Sequence, residues 1–161
     1  MINTGDFSFQ NLDTTDWKLL NILQANSNLS IKEIASRVNL STTPVYERIK
    51  KLENSGCITK YVAILDAEKL GKSLTVFCNI TLKEHTKSIG NQFVKDIISI
   101  KQVTECYNIS GDYDFLLKII IKDMKDYQDF VINKLGLIKN IGSAHSTFVL
   151  GVIKHSYGLP L

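Results

Sequence analysis

The hydrophobic period of this chain changes once, near residue 62, and that change constrains the fold more than any other feature. Before it, apolar residues recur at spacings of three and four, as on an amphipathic helix. After it, strict alternation appears in stretches separated by helical segments. The chain therefore reads as two domains, an α+β whole in which three short helices and a β ribbon are followed by a domain of mixed strands and helices. Pro44 and Pro160 are its only prolines, so the junction is a plain extended segment and not a proline-rich spacer. The expected boundaries are residues 11–64, a linker over 65–72, and 73–157.

In the first half, Asp13 or Thr14 can cap a helix carrying Trp17, Leu20, Ile22 and Leu23, which Asn26-Ser27-Asn28 breaks. Ser30-Ile31-Lys32-Glu33 has the form of a capping box and opens a short helix with Ile31, Ile34, Ala35 and Val38 inward. That helix ends at Asn39, which tolerates a left-handed backbone. Ser41-Thr42-Thr43-Pro44 starts a third helix that buries Val45, Ile49 and Leu52 and stops at Ser55-Gly56. Cys57 to Ile64 then alternates like a strand. Two helices cross steeply through a tight turn only with a small residue at the crossing, a positive-φ residue in the turn and an apolar anchor beyond it. Ala35, Asn39 and Val45 supply these in order, as in a winged helix-turn-helix.

If the third helix reads double-stranded DNA, the residues off its buried stripe matter: Thr42, Thr43, Tyr46, Glu47, Lys50 and Lys51. Hydroxyls and backbone N–H groups in a first helical turn suit phosphates or base edges. Arg48, Lys50 and Lys51 add positive charge, and Lys60 extends it onto the ribbon. Two of these residues have a second reading. Glu47 can accept from cytosine or pair with Lys51, and Arg48, beside Val45 and Ile49, can be structural. A net charge of +3 is too mild to decide the matter.

The second half reads βαββαβ, the ferredoxin-like order. Leu74 to Leu82 alternates, Thr86 caps a helix with Ile89, Phe93 and Ile97 on one face, and Val103 to Ile109 alternates again. Tyr113 to Ile121 forms a third strand, Asp123 opens a helix holding Met124, Tyr127, Val131 and Leu135, and Ala144 to Lys154 forms a fourth. Such a sheet has helices on one side only. Its strands are apolar on both, with Leu116 and Ile120 opposite Phe115 and Leu117, and Val149 and Ile153 opposite Phe148 and Leu150. An uncovered apolar face is an association surface, so a dimer through the sheets is expected.

The chain carries no GxSxG, P-loop or HExxH, and His85, His145 and His155 are scattered, so no catalytic residue is assigned. Cys57, Cys78 and Cys106 include no CxxC, which argues against a disulfide framework and against a metal site. No apolar run is long enough to span a bilayer. Met1 to Phe9 lacks the basic and apolar regions of a signal peptide, and the expected location is the cytoplasm. Ser110-Gly111-Asp112-Tyr113-Asp114 has two readings. One is a hairpin turn in which Gly111 provides positive φ. The other is a site for a free amino acid, whose ammonium needs a carboxylate and whose carboxylate needs N–H donors.

With these elements in this order, the chain resembles the Lrp/AsnC (feast/famine) family of transcription regulators. The resemblance rests on Leu12-Asp13-x-x-Asp16, Ile22-Leu23, Ile34-Ala35, Leu40-Ser41, Pro44-Val45, Arg48-Ile49, Leu52-Glu53, Gly56 to Tyr61, Leu70-Gly71 and Gly111 to Asp114. It runs from about residue 11 to the C-terminus. It implies a DNA-binding regulator of amino-acid metabolism or transport that binds no cofactor but answers to a small amino acid. It also implies a homodimer that assembles further, often to an octamer. By that resemblance Ser110, Gly111 and Asp114 line the effector site, with Asp112 in the same turn and Thr147 on the fourth strand. Two other functions fit the same outline. A siroheme decarboxylase-like enzyme needs histidine or arginine at the sheet face, for which His145 is the candidate. An architectural DNA binder needs no effector.

Overall fold

The computed structural model describes residues 12–161; the segment read above against a signal peptide lies outside them. The chain forms two compact units, one running up to Ala63 and including Lys154–Leu161, the other Ile64–Ile153. Lys154–Leu161 thus lies with the first unit.

The first unit holds α1 (Thr14–Ala25), α2 (Ile31–Val38) and α3 (Thr42–Asn54). Asp13 caps α1 and forms a capping box with Asp16, as Ser30 does with Glu33 for α2, so each pair satisfies helix donors reciprocally. Leu19, Leu23, Ile34, Ala35, Val45, Ile49 and Leu52 are buried together, with Leu20, Ile22, Ile31 and Val38 packed around them. Leu19, on the inner face of α1, was not singled out from the sequence. Asn39 closes α2 at φ 56° and ψ 45°, in the left-handed well, and Leu40 N–H bonds to Ala35 O at 3.1 Å. This is the turn that the sequence placed at Asn39.

One expectation here needs correction. Cys57 to Ile64 forms no strand: after Gly56 (φ 80°) the chain folds back, with Ile58 N–H bonding to Leu52 O, and finds no ladder partner among the described residues. Alternation marks strand capacity, but a strand exists only where a second one runs beside it. The tail instead returns to α1. The Gln24 amide donates to Leu159 O (3.1 Å) and accepts from Leu159 N–H (2.9 Å), and a Cβ at Gly158 would lie 3.1 Å from Gln24 Oε1.

The second unit holds β1 (Leu74–Leu82), α4 (Lys87–Ile98), β2 (Val103–Asn108), β3 (Phe115–Ile121), α5 (Met124–Asn133) and β4 (Ile141–Phe148). The sheet is antiparallel in the order β2-β3-β1-β4. Val76, Cys78 and Ile80 of β1 and Leu117, Ile119 and Ile121 of β3 bury one face against Phe93 and Ile97 of α4 and Tyr127 and Phe130 of α5. The fourth strand begins at Ile141, earlier than expected, and stops at Phe148, opposite Val76. Val149 still bonds to Thr75 O, but β1 begins at Leu74, so the ladder runs out of partner. Leu150 and Ile153 are fully exposed. The sheet's other face is also more polar than expected, because register places a Lys118–Glu105 ion pair (2.7 Å) there, across from Phe77.

Candidate nucleic-acid interface and effector turn

The helix expected to read DNA differs from its neighbours at its N-terminus. Ser41 occupies the cap position of α3 but makes no side-chain hydrogen bond to the helix, whereas Asp13 and Ser30 close α1 and α2. Its first-turn N–H groups therefore have no side-chain acceptor, and Pro44 in that turn has no N–H to satisfy. Thr42, Thr43, Tyr46, Glu47, Lys50 and Lys51 are all exposed, while Val45, Ile49 and Leu52 hold the inner face. The result is a helix with an apolar anchor, an unclosed positive end and a polar outer face. Such a helix can accept phosphate oxygens at its end and touch base edges from its first turns.

Arg48 is used differently from its neighbours. Its Nη1 donates to Asp13 Oδ2 (2.6 Å) and to Asp16 Oδ1 (2.7 Å), tying α3 to the start of α1. Asp16 is 3% exposed, the one buried charged residue among those described. Hydrogen bonds to Asp16 and Asp13 raise the Arg48 pKa, and Asp13 is held below the usual carboxylate range first by the Asp16 N–H and then by Arg48. The guanidinium is thus committed to holding helices together, the structural alternative that the sequence left open. Asp16 as its partner was missed, although an acid on the inward side of an amphipathic helix signals a buried counter-charge.

Lys50 is also engaged. Its Nζ donates to Glu53 Oε2 (2.6 Å) and sits 5.7 Å over the Tyr46 ring. Glu53 Oε1 accepts from the Tyr61 hydroxyl at 3.0 Å. Burial, then the hydrogen bond it donates to Glu53, pushes the Tyr61 phenol up to about 12. Glu47 and Lys51 form no ion pair with each other among the described contacts.

In the second unit, Gly111 adopts φ 117°, outside the wells that side-chain-bearing residues occupy. The turn is fixed by its flanks. Ile109 N–H and the Asn108 amide donate to Asp114 O, and Asp114 N–H bonds to Ile80 O. Asp114 Oδ2 accepts from Leu82 N–H at 2.7 Å, and its Oδ1 lies 3.6 Å from His85 Nε2. Ser110, Gly111 and Asp112 are exposed. Asp114 therefore anchors the turn to the end of β1, and Asp112 is the outward carboxylate. Thr147 does not join them within the chain: it pairs with Phe77, three residues along β1 from Ile80. His145 is nearer, its ring 5.5 Å from that of Tyr113. His85 and His145 were not read as neighbours of the turn, because only strand register brings them there.

A groove of the second unit, about 540 Å³ and lined by Lys83, Val131, Leu135, Ile138 and Lys139, does not include the turn. No three His, Cys, Asp or Glu side chains gather as a metal site among the described residues. No helix among them is long and apolar enough to cross a membrane.

Comparison with known proteins bears on both units. Residues 12–59 match the family described as winged helix-turn-helix DNA-binding, and residues 75–159 match the Lrp/AsnC ligand binding domain. The chain is 35% identical over 150 residues to the DNA-binding transcriptional activator DecR of Escherichia coli, covering 93% of this chain and 99% of that one. It is 34% identical over 156 residues to the leucine-responsive regulatory protein of the same organism, covering 97% and 95%. Among solved structures, a transcriptional regulator of Neisseria meningitidis in complex with L-Met superposes with a TM-score of 0.89 at 34% identity, covering 92% of this chain and 96% of that one. An AsnC family regulator of Agrobacterium tumefaciens gives 0.89 at 36%, covering 92% and 97%.

Proposed function

The chain belongs to the Lrp/AsnC family of transcriptional regulators, and from that premise we propose how its two units divide the work. It is a DNA-binding regulator and not an enzyme, as its relatives are named. The siroheme decarboxylase-like alternative is thereby set aside. In the proposed reading, α3 enters the major groove with Thr42 and Thr43 at its open end and Tyr46, Glu47, Lys50 and Lys51 along its face, while Arg48 stays with Asp13 and Asp16. The observation that carries this is the unclosed N-terminus of α3 above an exposed polar face, in a unit whose other two helices are closed by capping boxes.

The effector is a free amino acid held at the Ser110–Asp114 turn. Asp112 takes its ammonium, the turn's backbone N–H groups take its carboxylate, and Asp114 positions the turn. The L-Met complex of the Neisseria relative supports this ligand class. The turn is exposed and lines neither of the two grooves described for the chain, which supports a site completed by a second copy. Thr147 enters such a site from that copy. The sheet face carrying Phe77, Leu116 and Ile120 is the surface for pairing, and pairs assemble further, to an octamer. Linked reading heads then gain affinity through effective concentration, and the effector acts by favouring one arrangement of them.

A thermal-melt screen against the twenty amino acids tests the effector. A ligand at about a hundredfold its dissociation constant adds ~2.7 kcal/mol, a shift of roughly 5 to 10 °C for a chain of this size. A selective shift that Asp112→Asn abolishes is the expected result. No shift with any amino acid overturns the effector reading and leaves the architectural DNA binder.

A further inference from the structure

Lys50 and Arg48 lie two positions apart on α3, and each meets a carboxylate, but the two contacts have different consequences. Arg48 points to a buried acid and holds helices together. Lys50 stays half exposed on the outer face, and its partner Glu53 is shared. The hydroxyl that shares it, that of Tyr61, stands two residues before Ala63, the last residue of the first unit on the path to the linker. All three side chains, with Tyr46, line one groove of about 160 Å³ against Leu23 and Ile34 of α1 and α2. A continuous set of contacts thus runs from Tyr61, close to where the chain leaves this unit, to a cation on the DNA-facing helix.

Charge bookkeeping gives this set a direction. A lysine strengthens DNA binding by releasing counterions from phosphate, and one already neutralised by an adjacent carboxylate does so less effectively. Glu53 lies 2.6 Å from Lys50 and holds back part of that charge. Tyr61 donates to the other oxygen of the same carboxylate and so draws on its negative charge. Burial first, and then the hydrogen bond to Glu53, raises the Tyr61 phenol, while the Glu53 carboxyl is lowered first by Lys50 and more weakly by Tyr61. Glu53 is not needed to hold the core, since Leu52 beside it does that.

We propose that Glu53 is a positioning residue that sets how much of the Lys50 charge DNA receives, and that Tyr61 tunes this hold from the exit to the linker. The proposal rests on the reading that the outer face of α3 meets DNA. It assigns to Glu53 and Tyr61 a role in regulation without contact to base or effector. Displacement of Tyr61 tightens the Lys50–Glu53 pair and weakens phosphate binding, while loss of the Glu53 charge strengthens it.

The test is the salt dependence of binding of the full chain to a duplex of arbitrary sequence, about 40 base pairs long, because the slope of log Kd against log salt counts phosphate contacts. Lys50→Gln makes the slope shallower, by less than the ~0.9 per reading head of a free lysine because Glu53 holds back part of the charge, if this lysine meets phosphate. If it leaves the slope unchanged, the DNA-face reading fails at this residue, and the proposal fails with it. Glu53→Gln keeps the acceptor for Tyr61 and removes only the charge. It steepens the slope so that Lys50 counts toward one full contact of ~0.9 and raises affinity severalfold at low salt, and both effects vanish in the Lys50→Gln background. An unchanged slope with Glu53→Gln, or the same gain when Lys50 is absent, overturns the proposal while leaving the DNA-face reading intact. Tyr61→Phe keeps the ring and lowers affinity about twofold, with no effect when Glu53→Gln is also present. Additive effects overturn the part assigned to Tyr61.

Discussion

Each unit hangs its functional element on a turn of positive φ and pins that turn with a carboxylate, yet the two devices are built differently. In the first unit the turn is Asn39, in the ordinary left-handed well, and the helix it releases is pinned by Arg48 to Asp13 and the buried Asp16. In the second the turn is Gly111 at φ 117°, and the pin is the Asp114 carboxylate, which accepts from the Leu82 N–H. An ion pair joins two helices that pack through side chains. A backbone-to-carboxylate bond joins the turn between β2 and β3 to the end of the neighbouring strand β1. The first device fixes an angle between whole elements, and the second fixes the position of a few backbone groups. That difference matches the tasks proposed for them, aiming a helix and cradling a small molecule.

Breaking the first pin has the largest effect. Arg48→Ala leaves Asp16 buried without its cation, and losing one partner of a buried pair costs roughly 3 kcal/mol. Urea denaturation should show that loss. The double variant Asp16→Leu with Arg48→Met removes both charges and should regain most of it, since replacing a buried pair by packed apolar groups is close to neutral. If the double variant is stable and still binds DNA, Arg48 is a pin. If it is stable and no longer binds, Arg48 also touches DNA.

The turns themselves come next. Gly111→Ala puts a side chain where none fits the backbone, at a cost of about 2 kcal/mol. The added Cβ would meet nothing within 4 Å, so the whole cost is backbone strain. Asn39→Ala costs about 1 kcal/mol, because the left-handed well is only mildly unfavourable to a side chain and Asn softens it further. The comparison breaks if the two substitutions cost the same in matched denaturation curves. It sharpens if Gly111→Ala alone also abolishes the amino-acid-induced thermal shift.

These contrasts explain what the sequence revealed. The Asn39 turn was legible because everything that defines it lies within eleven residues, from Ala35 to Val45, and periodicity marks both helices. The order of strands and helices in the second unit was legible for the same reason, each element announcing its own period. What stayed hidden depends on pairing between distant segments. His145 approaches the turn, and Thr147 does not, only because β4 meets β1 in one register. Val149 to Ile153 alternates as a strand does, but β1 has ended. Cys57 to Ile64 alternates as well and has no neighbouring strand. Asp16 was seen as part of a motif, but its burial against Arg48 follows from the crossing of α1 and α3, which no local pattern records.

The smallest effect probes where the first unit's set of charged contacts ends. Tyr61 is held by burial and by Glu53 at a pKa of about 12, above the ordinary value of 10 for a phenol. A group whose folded pKa is raised contributes stability that is fully present below its unfolded value and lost as pH rises through the folded one. The contribution of Tyr61 is therefore intact below pH 10 and fades between about 10 and 12. Phenolate absorbance should show this as a late-titrating tyrosine, isolated by subtracting the curve of Tyr61→Phe, since burial raises Tyr127 and Glu105 raises Tyr107 as well. Glu53→Gln should bring the Tyr61 titration partway back toward 10, burial accounting for what remains. If Glu53→Gln leaves it unmoved, the carboxylate does not couple Tyr61 to Lys50, and Arg48 is then the last charged link between α3 and the rest of its unit.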